Sequence, residues 1–275
     1  KRKFKSKVAD SMGTDVTGGA LLTRALVLRR LLRRLVLADD EHYVGVLLPP
    51  SAGGVVVNTT LALDRRVSVN LNYTVASDVL NACIQHAGIK HVLTSRKFME
   101  KMNFDLNAEM VYLDDFKEQV TKADKVCAAL AAFCTPAAIL ERALGLLHAQ
   151  PDDVLTVIFT SGSTGTPKGV MLTNANIASN VAAVEQAVSL TPQDVIIGIL
   201  PFFHSFGYTI TLWAVMSLDI KGAYHFSPLD AKQIGKLCQQ HKGTILLTTP
   251  TFLRSYTRRC SEEEYATLDV VVAGA

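Results

Sequence analysis

Apolar positions fall into two kinds of run along this chain. Tyr43–Leu48, residues 67–70, His91–Thr94, Val154–Phe159, Val195–Leu200, Ile245–Leu247 and Val270–Val272 are short, nearly unbroken apolar stretches, the pattern of buried strands. Between them lie longer stretches with helical spacing: about 21–38, a segment running from the Pro49-Pro50-Ser51 turn to about Leu63, Ser77–His86, Asn174–Val188, Ser227–Gln240 and Phe252–Arg258. Strand alternating with helix predicts an α/β fold of layered parallel sheets flanked by helices. Ser77 is the expected N-cap of its helix. Residues 1–20, with Gly13, Gly18, Gly19 and a basic run from Lys1 to Lys7, read as an irregular start. Residues 114–150 are Ala- and Lys-rich around Pro136 and read as a helical excursion on the surface.

Two stretches bear on membranes. Residues 195–218 carry no Asp, Glu, Lys or Arg, but Pro201, His204, Ser205 and Gly207 interrupt them. Freed backbone groups are costly in lipid, so a buried strand, turn and helix is the better reading. In 21–37, Leu21, Ala25, Leu28, Leu32 and Leu35 share a face while Arg24, Arg30 and Arg34 lie off it. Such a helix fits either an anionic lipid surface or a protein surface with a solvated cationic side; the second is the commoner case.

Composition narrows the function. The 275 residues are 49% hydrophobic with a net charge of +3, enough for a sizeable core and too little charge for a nucleic-acid partner. Five cysteines, at 83, 127, 134, 238 and 260, form no Cys-x-x-Cys pair and read as reduced, mostly buried thiols of a cytoplasmic protein. The Lys-rich start has no apolar run behind it, so no signal peptide is expected.

The chemistry concentrates at Thr160-Ser161-Gly162-Ser163-Thr164-Gly165-Thr166-Pro167-Lys168-Gly169. Glycines bring backbone N–H groups close to an anion, hydroxyls add short donors, and the lysine adds a point charge. A Walker A loop counted from Gly162 requires glycine where Pro167 stands, and Lys168 precedes Gly169 rather than Ser or Thr. The dinucleotide pattern Gly-x-Gly-x-x-Gly also fails.

A Ser/Thr-Gly run closing in Pro-Lys-Gly resembles the loop of the AMP-forming, acyl-adenylating enzymes. Leu200-Pro201-Phe202-Phe203-His204-Ser205-Phe206-Gly207, Thr248-Thr249-Pro250-Thr251 and Val271-Val272-Ala273-Gly274-Ala275 resemble further signatures of that superfamily. The wording of Asn70-Leu71-Asn72-Tyr73-Thr74 is similar to one subgroup, the acyl-carrier-protein synthetase half of bifunctional phospholipid acyltransferases; a medium- or long-chain acyl-CoA ligase is the neighbouring choice.

The resemblance implies ATP-dependent activation of a fatty acid as acyl-AMP, then transfer to a thiol of CoA or acyl-carrier protein, with ATP and Mg2+ as cofactors. It assigns Thr160, Ser161, Gly162, Ser163, Thr164, Gly165, Thr166, Lys168 and Gly169 to the phosphates, with Thr160 near the magnesium. It assigns Phe203, His204, Ser205, Gly207, Thr249, Pro250, Gly274 and Ala275 to the acyl and adenylate pocket. Phe206, Tyr208 and Trp213 are candidates for an acyl tunnel or for plain core. His204 is not expected to act as a base, because the carboxylate is already ionised at pH 7.

The family's Tyr-Gly-x-Thr-Glu segment, ribose-binding Asp and lysine-bearing C-terminal lid have no match in 1–275. The chain therefore reads as the N-terminal part of the large domain, inactive alone, from a cytoplasmic parent that works at the inner membrane surface if it carries an acyltransferase. The alternative is a non-catalytic nucleotide- or acyl-binding module of the same fold.

Overall fold

The computed structural model describes residues 2–160 and 167–274. The chain opens with β1 (Ser6–Asp10) and β2 (Asp15–Thr17). It continues through β3 (Tyr43–Val46), β4 (Val67–Asn70), β5 (His91–Thr94), β6 (Glu109–Tyr112), β7 (Val154–Thr160) and β8 (Lys168–Thr173). It closes with β9 (Val195–Gly198), β10 (Lys221–Tyr224), β11 (Ile245–Thr248) and β12 (Val270–Ala273). These strands make two six-stranded sheets, one in each of two compact units.

The first unit comprises Lys1–Leu21, Pro49–Val55 and Ile177–Ala275. Its sheet has the order β12-β11-β9-β10-β1-β2, parallel throughout except that β2 runs antiparallel to β1. The start of the chain is thus regular rather than irregular. Sequence pattern hides these strands because Lys7 interrupts the apolar run. In the fold Lys7 is buried and its Nζ donates to the carbonyls of Leu218 (2.5 Å) and Ile220 (3.1 Å). The helix Ala231–His241 packs Ala231, Ile234, Leu237 and Cys238 against Val195, Ile197 and Leu246. It begins later than Ser227, where Asp230 caps the backbone N–H of Gln233.

The second unit comprises Leu22–Leu48 and Val56–Asn176. Its sheet has the order β6-β5-β3-β4-β7-β8, again parallel except for an antiparallel edge strand, β8. One core layer joins Leu28, Leu31, Leu32, Val44, Val46, Leu61 and Leu93; another joins Leu47, Val69, Leu80, Ile84, Val92 and Val157. The Ser77–Ala87 helix is capped differently from expectation: Ala76 is the N-cap, and Ser77 Oγ accepts from the backbone N–H of Asp105 instead.

The helix Gly18–Leu35 buries Ala25, Leu28 and Leu32 as expected, but Leu35 is exposed. Arg24 is exposed, but the other four arginines of the helix are ion-paired rather than simply solvated. Arg29 and Arg33 reach Asp64 (2.8 and 3.2 Å), and Arg30 and Arg34 reach Asp124 (3.1 and 3.3 Å). Asp124 also closes a capping box with Thr121 at the start of the Lys122–Phe133 helix. That helix and Ala137–Ala143 both lie within residues 114–150. All five cysteines are free, but only Cys83 and Cys238 are buried; Cys127 and Cys134 are exposed and Cys260 is half-buried, which corrects the expectation of mostly buried thiols.

Candidate functional site

The phosphate-loop candidates sit on the β7–β8 hairpin of the second unit. A connection this short can only reverse the chain, since a parallel return needs a crossover of a dozen or more residues. The register sets Thr160 directly opposite Lys168. Both residues are exposed at the connected end of the strand pair. Gly169 follows, and a Cβ there would lie 3.0 Å from Val157 Cγ1 and 3.2 Å from Phe159 Cε1. Ser161, Gly162, Ser163, Thr164, Gly165 and Thr166 lie outside the described residues. Thr160 and Lys168 are therefore cross-strand partners, and the glycine- and hydroxyl-rich residues 161–167 lie between them in sequence.

The pocket candidates sit on the first unit, at the carboxyl ends of its parallel strands. That edge is where open α/β sheets bind ligands. Phe203, His204, Ser205 and Gly207 follow β9, Thr249 and Pro250 follow β11, and Gly274 follows β12. Gly274 N–H donates to the Thr248 carbonyl at 3.1 Å, which extends the β11–β12 pairing to this edge. Ala275 lies outside the described residues.

The turn after β9 leads into a π-helix, Gly207–Ala214, a rare form that concentrates at functional sites. Gly207 is obligatory there, because a Cβ would run into the carbonyl oxygens of Pro201 and Leu200. Thr211 Oγ1 donates to the Gly207 carbonyl at 2.6 Å, and the hydroxyl of fully buried Tyr224 donates to the Thr211 carbonyl. Tyr224 lies where a Cβ on Gly198 would sit, so a β10 side chain ties the π-helix to the sheet.

His204 stands at the head of this helix, solvent-exposed, with its ring centroid 4.7 Å from that of buried Phe203. Partial burial lowers its pKa below the ordinary histidine value, so the ring is neutral at pH 7. Phe206 is exposed and Tyr208 fully buried, its ring 6.1 Å from that of half-buried Trp213. Thr249 is the N-cap of the Pro250–Arg259 helix, its hydroxyl accepting from Phe252 N–H at 3.4 Å, with Pro250 at the favoured first turn.

Sequence pattern missed one residue of this edge. His225, just past β10, is 2% exposed, and its Nδ1 shares a 2.6 Å hydrogen bond with Ser11 Oγ. Its Nε2 has no hydrogen-bond partner among the described residues; Asp230 lies 3.8 Å away. Burial lowers its pKa while Asp230 opposes the shift. A strand spelled Lys221-Gly222-Ala223-Tyr224 has too little apolar content to be read as β, so nothing in the pattern placed His225 at a strand end.

A family profile described as "AMP-binding enzyme" matches residues 2–275. The chain belongs to the AMP-binding enzyme family. Among curated proteins, this AMP-binding chain is similar to the putative acyl-CoA synthetase YngI of Bacillus subtilis, 35% identical over 122 residues, 44% of this chain and 22% of that one. It is similar also to long-chain-fatty-acid–CoA ligase 5 of Rattus norvegicus, 29% identical over 182 residues, 61% of this chain and 27% of that one.

Among solved structures, the O-succinylbenzoate coenzyme A synthetase MenE of Bacillus subtilis, in complex with AMP, superposes with a TM-score of 0.78 at 19% identity. That match covers 98% of this chain and 64% of MenE, and at such identity it shows the fold alone. The chain thus spans less than two thirds of the relatives it matches.

Magnesium in such a family is carried largely by nucleotide phosphates and water, with few protein ligands. Among the described residues no group of three or more His, Cys, Asp or Glu side chains could hold a metal ion. The exposed Thr160 hydroxyl is one hard oxygen donor at the hairpin mouth, which fits a magnesium that arrives with its own phosphate ligands.

Proposed function

We propose that this chain is the nucleotide-gripping part of an AMP-forming acid–thiol ligase that activates a fatty acid. The observation that carries the reading is the register of β7 and β8, which sets Thr160 across from Lys168 at the two ends of the glycine- and hydroxyl-rich sequence 161–167. A carboxylate oxygen attacks the α-phosphorus of ATP, the bond to the β-phosphate breaks, and pyrophosphate leaves; a thiolate then displaces AMP from the acyl adenylate. In the first step the protein positions reactants and balances charge. Lys168 and the hydroxyls of 160–166 hold the departing β- and γ-phosphates. Thr160 is the protein's ligand toward a magnesium that neutralises phosphate charge. Phe203, His204, Ser205, Gly207, Thr249, Pro250, Gly274 and Ala275 wall the adenylate and acyl group, with His204 neutral.

The Asn70–Thr74 wording supports acyl-carrier protein as the thiol acceptor; the long-chain acyl-CoA ligase among the relatives supports CoA. Chain length relative to those relatives supports a large-domain part whose remaining catalytic groups lie elsewhere, so the 275 residues alone are expected to turn over poorly.

ATP–pyrophosphate exchange on the longer protein, across a panel of fatty acids, tests the reading. Exchange with at least one acid is expected, and Lys168→Ala should lower it about 100-fold, as for loss of one charge-stabilising group. No exchange with any carboxylate sinks the ligase reading. Pyrophosphate release by the 275 residues alone at the parent's rate sinks the incompleteness.

A further inference from the structure

The Lys122–Phe133 helix carries large apolar residues on its outer as well as its inner face. On the inner side Ala128, Ala132 and the partly buried Phe133 pack with Leu26, Leu22, Leu63, Leu140 and Leu144. Two other large apolar residues point outward. Val126 is 57% and Leu130 55% exposed, and Cys127 and Cys134 are exposed beside them. Spacing by four sets Lys122, Val126, Leu130 and Cys134 in one row. The next segments add Ile139 and Leu147, each 60% exposed. Exposed apolar stripes of this kind mark interaction sites rather than ordinary surface.

The rim identifies the partner. Lys122 and Lys125 are exposed at the helix start, and Arg142 is exposed on the following helix. Arg30 and Arg34, both about half exposed, share the single carboxylate of Asp124 and leave net positive charge beside the same helix. Asp115, Glu118 and Glu141 are the exposed acids of residues 114–150, against Lys117, Lys122, Lys125 and Arg142; Asp115 pairs with Arg96 and Lys117 with Asp114, which leaves Lys122, Lys125 and Arg142 against Glu118 and Glu141. A second copy placed on this face by two-fold symmetry would set this basic rim against itself. An anionic leaflet accepts apolar side chains at its acyl boundary and neutralises the rim. Among the described residues no helix is long and apolar enough to cross a membrane, so the contact lies on the surface.

We infer that the exposed face of Lys122–Phe133, with Ile139 and Leu147, is a docking surface for an anionic lipid leaflet. The inference is independent of the reaction proposed above. The Gly18–Leu35 helix, the sequence-level candidate for that contact, packs its apolar face inside except for Leu35, and Arg29, Arg30, Arg33 and Arg34 are in ion pairs. The outward helix exposes Val126 and Leu130 together.

Co-sedimentation with phosphatidylcholine vesicles, with and without phosphatidylglycerol, tests it. Binding is expected to the phosphatidylglycerol vesicles and should weaken with salt. Val126→Asp with Leu130→Asp, and separately Lys122→Glu with Lys125→Glu, should each reduce the bound fraction at least about tenfold. Circular dichroism and thermal melting check that the variants fold.

A bimane label on Cys127 in a Cys134→Ser background reads insertion without apolar substitution, through a blue shift on vesicle addition. Burial raises the Cys83 and Cys238 thiols to about 11 and also raises Cys260, which keeps labelling selective. No sedimentation and no blue shift overturns the proposal. So does undiminished binding by folded Val126→Asp/Leu130→Asp. A dimer that this variant dissociates, in protein that ignores vesicles, overturns it in favour of self-association.

Discussion

Gly207 shows how one position can govern a site. Phe203 and His204 turn the chain after β9, and the π-helix starts beneath the carbonyls of Leu200 and Pro201 with no room for a methyl group. Gly207→Ala is expected to destabilise by about 1–3 kcal/mol, the range for overpacking a buried site, read from the midpoint of urea unfolding. An unchanged midpoint would mean that the backbone yields at no cost. Thr249 acts through its hydroxyl instead, which accepts from the Phe252 N–H and caps the Pro250–Arg259 helix. His204 was legible from the Pro-x-x-His wording; burial lowers its pKa below the ordinary histidine value. His225 was not legible, because its role rests on contact with Ser11, 214 positions away.

At the scale of elements, the Lys122–Phe133 helix depends on one acid. Asp124, 1% exposed, accepts from Thr121 in the capping box and from Arg34 and Arg30. The Thr121 hydrogen bonds, then the arginines, hold its carboxyl below the usual carboxylate range. The folded-state pKa is depressed, so the stabilisation is present above about pH 4, the ordinary Asp value, and is lost as pH falls toward the folded value. Asp124→Asn should lower stability at neutral pH and flatten its decline in acid, measured by urea unfolding across pH. Parallel curves for the two proteins would show that Asp124 is not the titrating group.

Long apolar elements were readable from pattern, and Asn174–Val188 has the predicted bounds. β1, β6 and β10 were not. Ser6–Asp10, Glu109–Tyr112 and Lys221–Tyr224 become strands through their neighbours' hydrogen bonds, not through their own apolar content.

For the whole molecule, each unit contains its own six-stranded sheet with an exposed edge. Backbone amides in β9 and β10, and in β3 and β4, are expected to exchange slowest, because those strands are buried and paired on both sides. The edge strands β8 and β12, exposed along most of their length, should exchange earlier, as hydrogen exchange read by mass spectrometry would show. Uniform protection across all strands would contradict this order.

The sequence by itself determined the family, the α/β class and most long helices, and marked Thr160–Gly169 as the candidate phosphate loop, because those rest on local residue order and periodicity. Only the tertiary structure decided that Thr160 pairs with Lys168, that His225 joins the carboxyl edge, that Arg29, Arg30, Arg33 and Arg34 meet Asp64 and Asp124, and that the Lys122–Phe133 helix turns Val126 and Leu130 outward. Each of these depends on which distant residue arrives at a given face. Pairing register and burial set that, and periodicity along one segment carries no information about it.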